Sequence, residues 1–390
     1  MNEYILTAPC HFGLESVLKR EIKSLGYEIT GVCDGRVNFK GGPEAVARAN
    51  VFLRTAERVM IVAGEFEALS FPELFDKTKS IPWSDFIPKH GRFWVKKAGS
   101  VKSELFSTRD IQTIVKKAMV DSMSTKYGIE HFPEDGEDYP VRVFINKNAV
   151  TIGLDTTGES LHKRGYRILH GEAPIAENLA AALIMLTPWK SDRPLIDPFC
   201  GSGTFLTEAA LMAANIAPGA GRSFTAKAWN NLIDKKIWEE AYKEAESGVK
   251  EKADCDLQGY DLDPKVLRLA RENAEKAGVS GMIHFQERPA SEMSHSGKYG
   301  FIITNPPYGE RMEEKAALPG IYKDLGEAFK KLSTWSLYVI TSYDEAEKYI
   351  GRRADRNRKV YNGMIQTRYY SFEGPKPPKK RSEEGGGGYR

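Results

Sequence analysis

The order of strands and helices in the sequence predicts an α/β fold whose C-terminal part is a doubly wound, mostly parallel sheet. From Pro174 onward, short apolar strands alternate with segments of helical period. The pattern closes with two strand-like segments around Asn362-Gly363, as in a parallel sheet that ends in a hairpin. Before Pro174 the alternation is less regular, which predicts a separate α+β region. A chain of 390 residues is long enough for two or three domains.

The individual elements follow from apolar periodicity and turn residues. In the first part we predict strands at 4–8, 36–39, 59–64 and 92–95, a hairpin at 141–154, and helices at 14–25, 43–53 and 107–123. In the second part we predict strands at 195–198, 257–261, 283–286, 301–304 and 337–341, a hairpin at 359–372, and helices at 175–186, 204–215, 264–276 and 321–332. Residues 218–253 are predicted to be a helical insertion.

The composition is that of an ordinary globular protein, with 41% hydrophobic and 28% charged residues. No membrane span or secretory signal is visible, so we expect a cytoplasmic protein with no membrane partner. The net charge of +3 does not by itself predict nucleic-acid binding. The four cysteines lack CxxC or zinc-type spacing, which predicts reduced thiols and no metal site: Cys10, Cys33, Cys200 and Cys255.

The first chemical motif is the segment Asp197-Pro198-Phe199-Cys200-Gly201-Ser202-Gly203-Thr204, which follows a strand and opens a helix. Its glycines allow a ligand to approach the backbone, and the helix offers free N–H groups to an anion. Asp197 can accept from an ammonium group. Asp261, followed by Leu262 at the tip of the next strand, fits an acceptor for ribose hydroxyls.

A dinucleotide site and a purely structural glycine turn are the alternatives for this segment. Dinucleotide binders prefer a third glycine three residues on, where this chain has Leu206. Their acidic ribose partner comes about 20 residues later, far short of Asp261. We therefore favour a nucleoside cofactor of another kind.

The second motif is Asn305-Pro306-Pro307-Tyr308 at the tip of the strand 301–304. An amino group on a base is a poor nucleophile because its lone pair is delocalised into the ring. The Asn305 side-chain carbonyl and the Pro306 main-chain carbonyl can accept both N–H groups and turn the lone pair outward. Tyr308 can stack on a base that has left its helix or loop. The prolines restrict the backbone that holds these groups.

Together the two motifs resemble those of the amino-methyltransferase branch of class I S-adenosylmethionine enzymes. Further segments resemble bacterial 23S rRNA guanine-N2 methyltransferases: Leu161–Arg167, Ala173–Leu183 and Asn305–Arg311. The stretch Val141–Gly158 resembles the end of a THUMP domain, an RNA-binding α+β module. The resemblance covers nearly the whole chain.

The resemblance implies a Rossmann-like class I methyltransferase domain at 174–374 behind a ferredoxin-like α+β region at 1–60 and a THUMP domain at 61–158. A linker at 159–173 and a disordered tail at 375–390 complete the expected organisation. The linker carries Lys163, Arg164 and Arg167, which we interpret either as a solvated connection or as a strap on the RNA backbone. A chain lacking 1–155 is expected to bind cofactor but to methylate RNA poorly.

The resemblance also implies the cofactor S-adenosylmethionine, the product S-adenosylhomocysteine, and an RNA partner, 23S rRNA or a large-subunit precursor. Two departures from the family stand out. The second methyltransferase domain of the larger members is absent from this chain, and the third strand of the domain is not followed by a clean Asp to hold adenine. Glu287 and the backbone near Ala290 are the candidates for that contact.

Three other functions share parts of this pattern. A tRNA guanine-N2 methyltransferase would have the same motifs. A DNA adenine-N6 methyltransferase would share the Asn305–Tyr308 chemistry, but no DNA-reading element is recognisable. A non-catalytic RNA-binding ribosome-assembly factor would not need intact Asp197, Asp261, Asn305 and Tyr308.

Overall fold

The computed structural model describes residues 3–167, 175–309 and 312–378, and only the backbone of 312–314. Part of the predicted linker (168–173), Glu310 and Arg311, and the predicted tail beyond 378 lie outside the described residues. In the part of the chain that is described, no helix is long and apolar enough to cross a membrane.

The first part of the chain forms one seven-stranded sheet in the order β2-β3-β1-β4-β7-β6-β5. All neighbouring strands are antiparallel except β5 and β6. The strands are β1 (Tyr4–Pro9), β2 (Ile29–Cys33), β3 (Arg36–Gly41), β4 (Met60–Glu67), β5 (Arg92–Val101), β6 (Asp138–Asn146) and β7 (Ala149–Asp155). The helices are α1 (Glu15–Ser24), α2 (Pro43–Phe52), α3 (Phe71–Lys79) and α4 (Thr108–Tyr127).

This sheet runs continuously across the predicted boundary at residue 60. Leu6 of β1 pairs with Ile61 of β4, so the ferredoxin-like strands and the later strands share one hydrogen-bonded ladder. The sequence pattern did not reveal β2 or α3. Strand β2 is a half-exposed edge without apolar alternation, and α3 is a nine-residue helix marked mainly by its Ser70 cap.

The second part forms the predicted doubly wound sheet, in the order β10-β9-β8-β11-β12-β14-β13. The first five of these are parallel, and β14 and β13 are an antiparallel hairpin at one edge. The strands are β8 (Leu195–Asp197), β9 (Leu257–Asp261), β10 (Ile283–Glu287), β11 (Phe301–Thr304), β12 (Ser336–Thr341), β13 (Arg356–Asn362) and β14 (Ile365–Phe372). The helices are α5 (Glu177–Leu186), α6 (Thr204–Ala213), α7 (Lys235–Ser247), α8 (Pro264–Lys276), α9 (Met312–Lys331) and α10 (Ala346–Ile350).

The predicted insertion at 218–253 contains α7 and packs on the N-terminal sheet. Trp229 is fully buried, stacks on Tyr139 of β6 at 4.9 Å between ring centroids, and donates its indole N–H to the Asp138 carbonyl at 2.7 Å. Arg48 of α2 forms a two-pronged ion pair with Glu244 of α7, at 2.8 and 2.7 Å. The insertion therefore shares one hydrophobic core with the N-terminal part.

The shared core argues against an independently folding fragment without residues 1–155. Removal of residues 1–155 would expose the buried aromatic side chains that the insertion contributes to this core: Phe224, Trp229 and Trp238. Exposed apolar surface of this kind favours aggregation. The sequence pattern showed a helical insertion but contained no sign of the surface on which it packs.

We expect Trp229→Ala to lower the free energy of unfolding by about 3–5 kcal/mol, because it leaves a cavity at the junction of the two parts. Trp229→Phe keeps an aromatic ring and loses the indole hydrogen bond, so we expect a smaller loss of about 1 kcal/mol from that bond. Urea denaturation followed by fluorescence measures both. Trp94→Ala serves as the control, since that side chain is 37% exposed. Equal stability of Trp229→Ala and the parent protein would contradict the shared core.

Candidate active site

The predicted motifs meet at the carboxyl edge of the second sheet. The chain begins this sheet at β8, continues to β9 and β10 on one side, and crosses to β11 and β12 on the other. Parallel sheets of this type bind ligands at the point where the strand order reverses. Asp197, Asp261 and Thr304 end the three neighbouring strands β8, β9 and β11 around that point.

The segment after β8 forms a tight loop that leads into α6. Gly201 and Gly203 have φ angles of +50° and +79°, in the left-handed region that favours glycine. A Cβ atom on Gly201 would meet nothing within 4 Å, so the backbone faces open space there. Helix α6 starts at Thr204, so the N–H groups of its first turn have no carbonyl partner within the helix.

Gly203 serves packing as well as conformation. A Cβ atom at this position would lie 3.0 Å from the Phe285 ring and 3.1 Å from the Ala270 Cβ atom. A larger residue at 203 would therefore disturb the contact between the loop, α8 and β10. Gly201 is consequently the better probe of ligand space, because its Cβ direction is open.

Asp197 is 1% exposed, and burial raises the pKa of its carboxyl to about 7. Its Oδ1 atom accepts the Thr304 hydroxyl at 2.6 Å and the Phe199 N–H at 3.2 Å, and these bonds oppose the rise. Among the described side chains, no lysine, arginine or histidine forms an ion pair with this carboxyl. A cationic ligand group would supply the missing charge.

Asp261 ties the loop to the tip of β9. Its Oδ2 atom accepts the Gly201 N–H, and its Oδ1 atom accepts the Asp263 N–H, both at 3.0 Å. Each oxygen has a second lone pair for a hydroxyl donor. Leu262 beside it is 67% exposed and presents an apolar surface at the same edge.

The other residues predicted to bind cofactor line or support the loop. Pro198, Cys200 and Thr204 are buried, and Phe199 and Ser202 are half-buried. Burial raises the pKa of the Cys200 thiol well above its ordinary value, which keeps it neutral. Ala290 is buried in a short 3₁₀ turn after β10, where the Arg288 N–H donates to the Asp261 carbonyl at 3.2 Å.

Three supporting residues were not evident from the sequence. Asn273 of α8 donates to the Ser202 carbonyl at 3.1 Å. Thr304 joins the strand before the catalytic motif to Asp197. Asn362, at the end of β13, places its amide nitrogen 3.5 Å from the Tyr308 hydroxyl. Each lies far in sequence from the residue that it contacts, and polar residues of these types are common, so sequence alone offered no signal.

The basic residues of the predicted linker bind protein groups. Arg164 is buried and contacts Glu208 of α6 at 3.4 Å, and the Tyr166 hydroxyl donates to the same carboxylate at 3.1 Å. Arg167 donates to Thr204 Oγ1 at 3.1 Å and pairs with Glu177 at 3.2 Å. Both interpretations of these two arginines, as solvated charges or as a strap on RNA, are therefore wrong. They brace the helix that follows the cofactor loop.

The predicted catalytic motif, Asn305–Tyr308, forms a loop after β11. Asn305 is half-buried and Pro306 is buried. The Tyr308 hydroxyl donates to the Asn305 side-chain carbonyl, a contact that the predicted stacking role did not include. The Tyr322 hydroxyl donates to the Pro307 carbonyl at 3.3 Å and supports the loop from α9.

A cleft of about 500 Å³ opens beside this loop. Its lining includes the aromatic and aliphatic side chains of Tyr308, Leu318, Tyr343 and Ile365 and the acidic residues Asp344 and Glu345. This size suits a small organic group such as a nucleotide. No group of three or more metal-ligating side chains occurs within 3–167, 175–309 and 312–378.

Comparison with known proteins identifies three matching regions. Residues 164–371 match the family described as RMKL-like, methyltransferase domain. Residues 68–155 match the THUMP domain, and residues 5–60 match the RlmL ferredoxin-like domain.

Similar whole proteins support these matches. The chain is 43% identical over 386 residues to a Bacillus subtilis protein named "Putative RNA methyltransferase YpsC", covering 98% of this chain and 100% of that one. It is 49% identical to the crystal structure of a "possible methylase" from Clostridium difficile 630, with a TM-score of 0.93, 97% of this chain and 100% of that chain covered. It is 37% identical to the crystal structure of "SMU.472, a putative methyltransferase complexed with SAH", with a TM-score of 0.90, 97% of this chain and 100% of that chain covered.

The family match covers more than half of the chain, and the similar proteins extend over nearly all of it. One of these similar structures contains S-adenosylhomocysteine, the product form of S-adenosylmethionine. The chain therefore belongs to the RMKL-like methyltransferases, enzymes that use S-adenosylmethionine, and carries an RlmL-type ferredoxin-like domain and a THUMP domain ahead of its methyltransferase domain.

Proposed function

We propose that this enzyme transfers the methyl group of S-adenosylmethionine to the exocyclic N2 amine of a guanine in 23S rRNA. The observation that carries the proposal is the position of Asn305 and Pro306 at the end of β11, directly beside the cofactor strand β8. The THUMP and RlmL-type ferredoxin-like domains support an RNA substrate. The name of the Bacillus subtilis relative points the same way.

The described residues fit the cofactor. The open backbone at Gly201 and the N-terminus of α6 suit its carboxylate. Asp197, buried without a cation, suits its ammonium group. Asp261 has lone pairs for the ribose hydroxyls, and the exposed Leu262 and the turn at Ala290 border the expected adenine position. When bound, S-adenosylmethionine supplies an electrophilic methyl group on a sulfonium.

Asn305 and Pro306 prepare the amine for attack. Their carbonyl oxygens accept the two N–H groups, which turns the nitrogen lone pair toward the methyl carbon. The N–C bond forms as the C–S bond breaks, and the displaced proton leaves the amine to water. Positioning provides much of the rate in such an in-line displacement.

Tyr308 has two proposed roles. Its ring stacks on the base, and its hydroxyl holds the Asn305 carbonyl until the amine replaces it. Both roles require the catalytic loop to be set before RNA arrives. The bond from Tyr322 to Pro307 helps to hold the loop in that state.

Label transfer from S-adenosylmethionine to purified rRNA, tRNA and DNA tests the substrate. We expect label in 23S rRNA, and digestion should release N2-methylguanosine. Mapping the missing methyl in rRNA from a deletion strain then identifies the nucleotide. Label in tRNA alone, or N6-methyladenine in DNA, would replace the proposal, and no transfer despite cofactor binding would favour a non-catalytic assembly factor.

We expect Asn305→Ala to lower single-turnover methyl transfer by roughly 100-fold or more, because it removes one preorganised acceptor. The affinity for S-adenosylhomocysteine should stay within about twofold, since Asn305 faces the base. Rapid-quench kinetics and calorimetry measure the two quantities. An unchanged transfer rate would show that this side chain does not orient the amine.

For Tyr308→Phe we expect a loss of about 1 kcal/mol, roughly fivefold in kcat, because Asn305 loses its hydroxyl partner. Tyr308→Ala should lose a further 1–3 kcal/mol of stacking, seen mainly in KM for RNA. In the Asn305→Ala background, Tyr308→Phe should have no added effect if the hydroxyl acts through Asn305. Additive losses in this double-mutant cycle would instead assign the hydroxyl a contact with the base.

Cofactor affinity should depend on pH through Asp197. Because burial raises the pKa of this carboxyl to about 7, the ionised form that binds an ammonium becomes abundant only as the pH approaches 7. We expect the dissociation constant to fall with rising pH below 7 and to level above it. Calorimetry between pH 5.5 and 8.5, at intervals of about one pH unit, measures the dissociation constant.

The same carboxyl should affect stability in the opposite direction when no cofactor is bound. The pKa of this carboxyl is higher in the folded state than its ordinary value of 3.8. Its contribution to the free energy of unfolding is therefore complete below about pH 4 and is lost as the pH rises toward 7. Asp197→Asn is the matched control, because it keeps an acceptor for Thr304 and cannot ionise. If the cofactor affinity of the variant and of the parent depended on pH in the same way, Asp197 would not be the group that holds the cofactor cation.

A further inference from the structure

The hairpin of β13 and β14 ends beside the predicted catalytic loop in a two-residue turn. Asn362 pairs with Ile365, so Gly363 and Met364 alone form the connection. Gly363 has a φ angle of +60° and Met364 does not share it, which is the pattern of a type II′ turn with glycine first. A two-residue turn of this type fixes the backbone from which the Met364 side chain projects.

Met364 is 96% exposed at the tip of this turn. Single exposed apolar residues are common, so exposure alone decides nothing. Its position is informative, because Asn362 and Ile365, the last paired residues before the turn, lie near Tyr308 of the predicted catalytic loop. The Asn362 amide lies 3.5 Å from the Tyr308 hydroxyl, and Ile365 lines the same cleft as Tyr308. Met364 therefore projects from a turn that is flanked by one residue beside Tyr308 and one residue that lines the cleft.

The same hairpin carries cations without carboxylates. The segment 356–372 contains four basic residues and no acidic one: Arg356, Arg358, Lys359 and Arg368. Lys359 lies directly opposite Arg368, and like charges in this register destabilise a strand pair. Within the described chain, neither of these two side chains has an acidic partner. A bound polyanion would relieve the repulsion.

We propose that this hairpin unstacks the RNA around the target guanine, with Met364 as a wedge between bases and Lys359 and Arg368 as contacts to the flanking phosphates. The proposal rests on the proposed RNA substrate. A stacked base cannot place its amine at Asn305, so it must leave the stack. Apolar side chains on rigid supports separate base steps in other nucleic-acid complexes, and methionine is among them.

The test compares two transcripts that carry the mapped rRNA site. In one the target guanine is paired in a stem, and in the other the complementary strand is omitted, so that the guanine is unpaired. We expect Met364→Ser to lower kcat/KM about tenfold or more on the stem, because unstacking then costs at least 1.4 kcal/mol more. On the unpaired strand the loss should stay below about twofold. Met364→Leu, which keeps an apolar wedge, should resemble the parent on both.

A spectroscopic readout separates a wedge from a structural role. With 2-aminopurine next to the target, the parent should increase the fluorescence of the stem and Met364→Ser should not. Equal losses on both transcripts would assign Met364 to support of the catalytic loop, and no loss on either would remove the hairpin tip from the RNA interface. Failure of the parent to methylate either transcript would refute the proposed RNA substrate itself.

The charges are tested by Lys359→Gln combined with Arg368→Gln. We expect a higher KM for RNA and a shallower dependence of log KM on log salt, by about one to two units for two lost phosphate contacts. Affinity for S-adenosylhomocysteine should not change. Lys276→Gln, on an exposed lysine at the end of α8 near the opposite sheet edge, is the control. An unchanged salt slope in the double variant would contradict the phosphate contacts.

Discussion

A buried side-chain hydrogen bond joins the predicted cofactor loop to the predicted catalytic loop. The Thr304 hydroxyl, one residue before Asn305, donates to the carboxyl of Asp197 across the neighbouring strands β11 and β8. Both residues are almost fully buried, so the bond has little competition from water. The distance between the cofactor loop and the catalytic loop is thereby set by the spacing of adjacent strands. Methyl transfer needs such a fixed distance, because its geometry is in-line.

The electrostatics of the site follow from the same burial. Asp197 is removed from water, its pKa is raised to about 7, and the described side chains supply it with no cation. A cationic group bound beside this carboxyl would lower its pKa and stabilise its ionised form. Asp261 is used differently, since both of its oxygens hold backbone N–H groups and order the loop in advance. Asp197 thus has no cationic side chain beside it among the described residues, while Asp261 orders the loop through two backbone N–H groups.

The insertion and the linker fasten the N-terminal sheet to this site. Trp229 and Glu244 of the insertion bind β6 and α2, and Arg164 of the linker binds Glu208 behind the cofactor loop. Because of these contacts, the N-terminal sheet is held at a set position against the methyltransferase domain. A fixed arrangement suits an enzyme that must bring one nucleotide to one loop, and the proposed action of the β13–β14 hairpin on the RNA is then only local.

The sequence by itself determined the fold class, the βα order of the second sheet and the two motifs, because local periodicity and turn residues encode these over short spans. Strand β2 and helix α3 were not predicted, because an exposed edge strand and a short helix carry little apolar pattern. Other features depended on residues far apart in the chain. The sequence predicts Arg164 to be a solvated cation or an RNA contact, but it is buried against Glu208, 44 positions away. Only tertiary structure brought Thr304 to Asp197 and Asn362 to Tyr308, since strand order in a sheet, and not sequence spacing, decides which side chains meet.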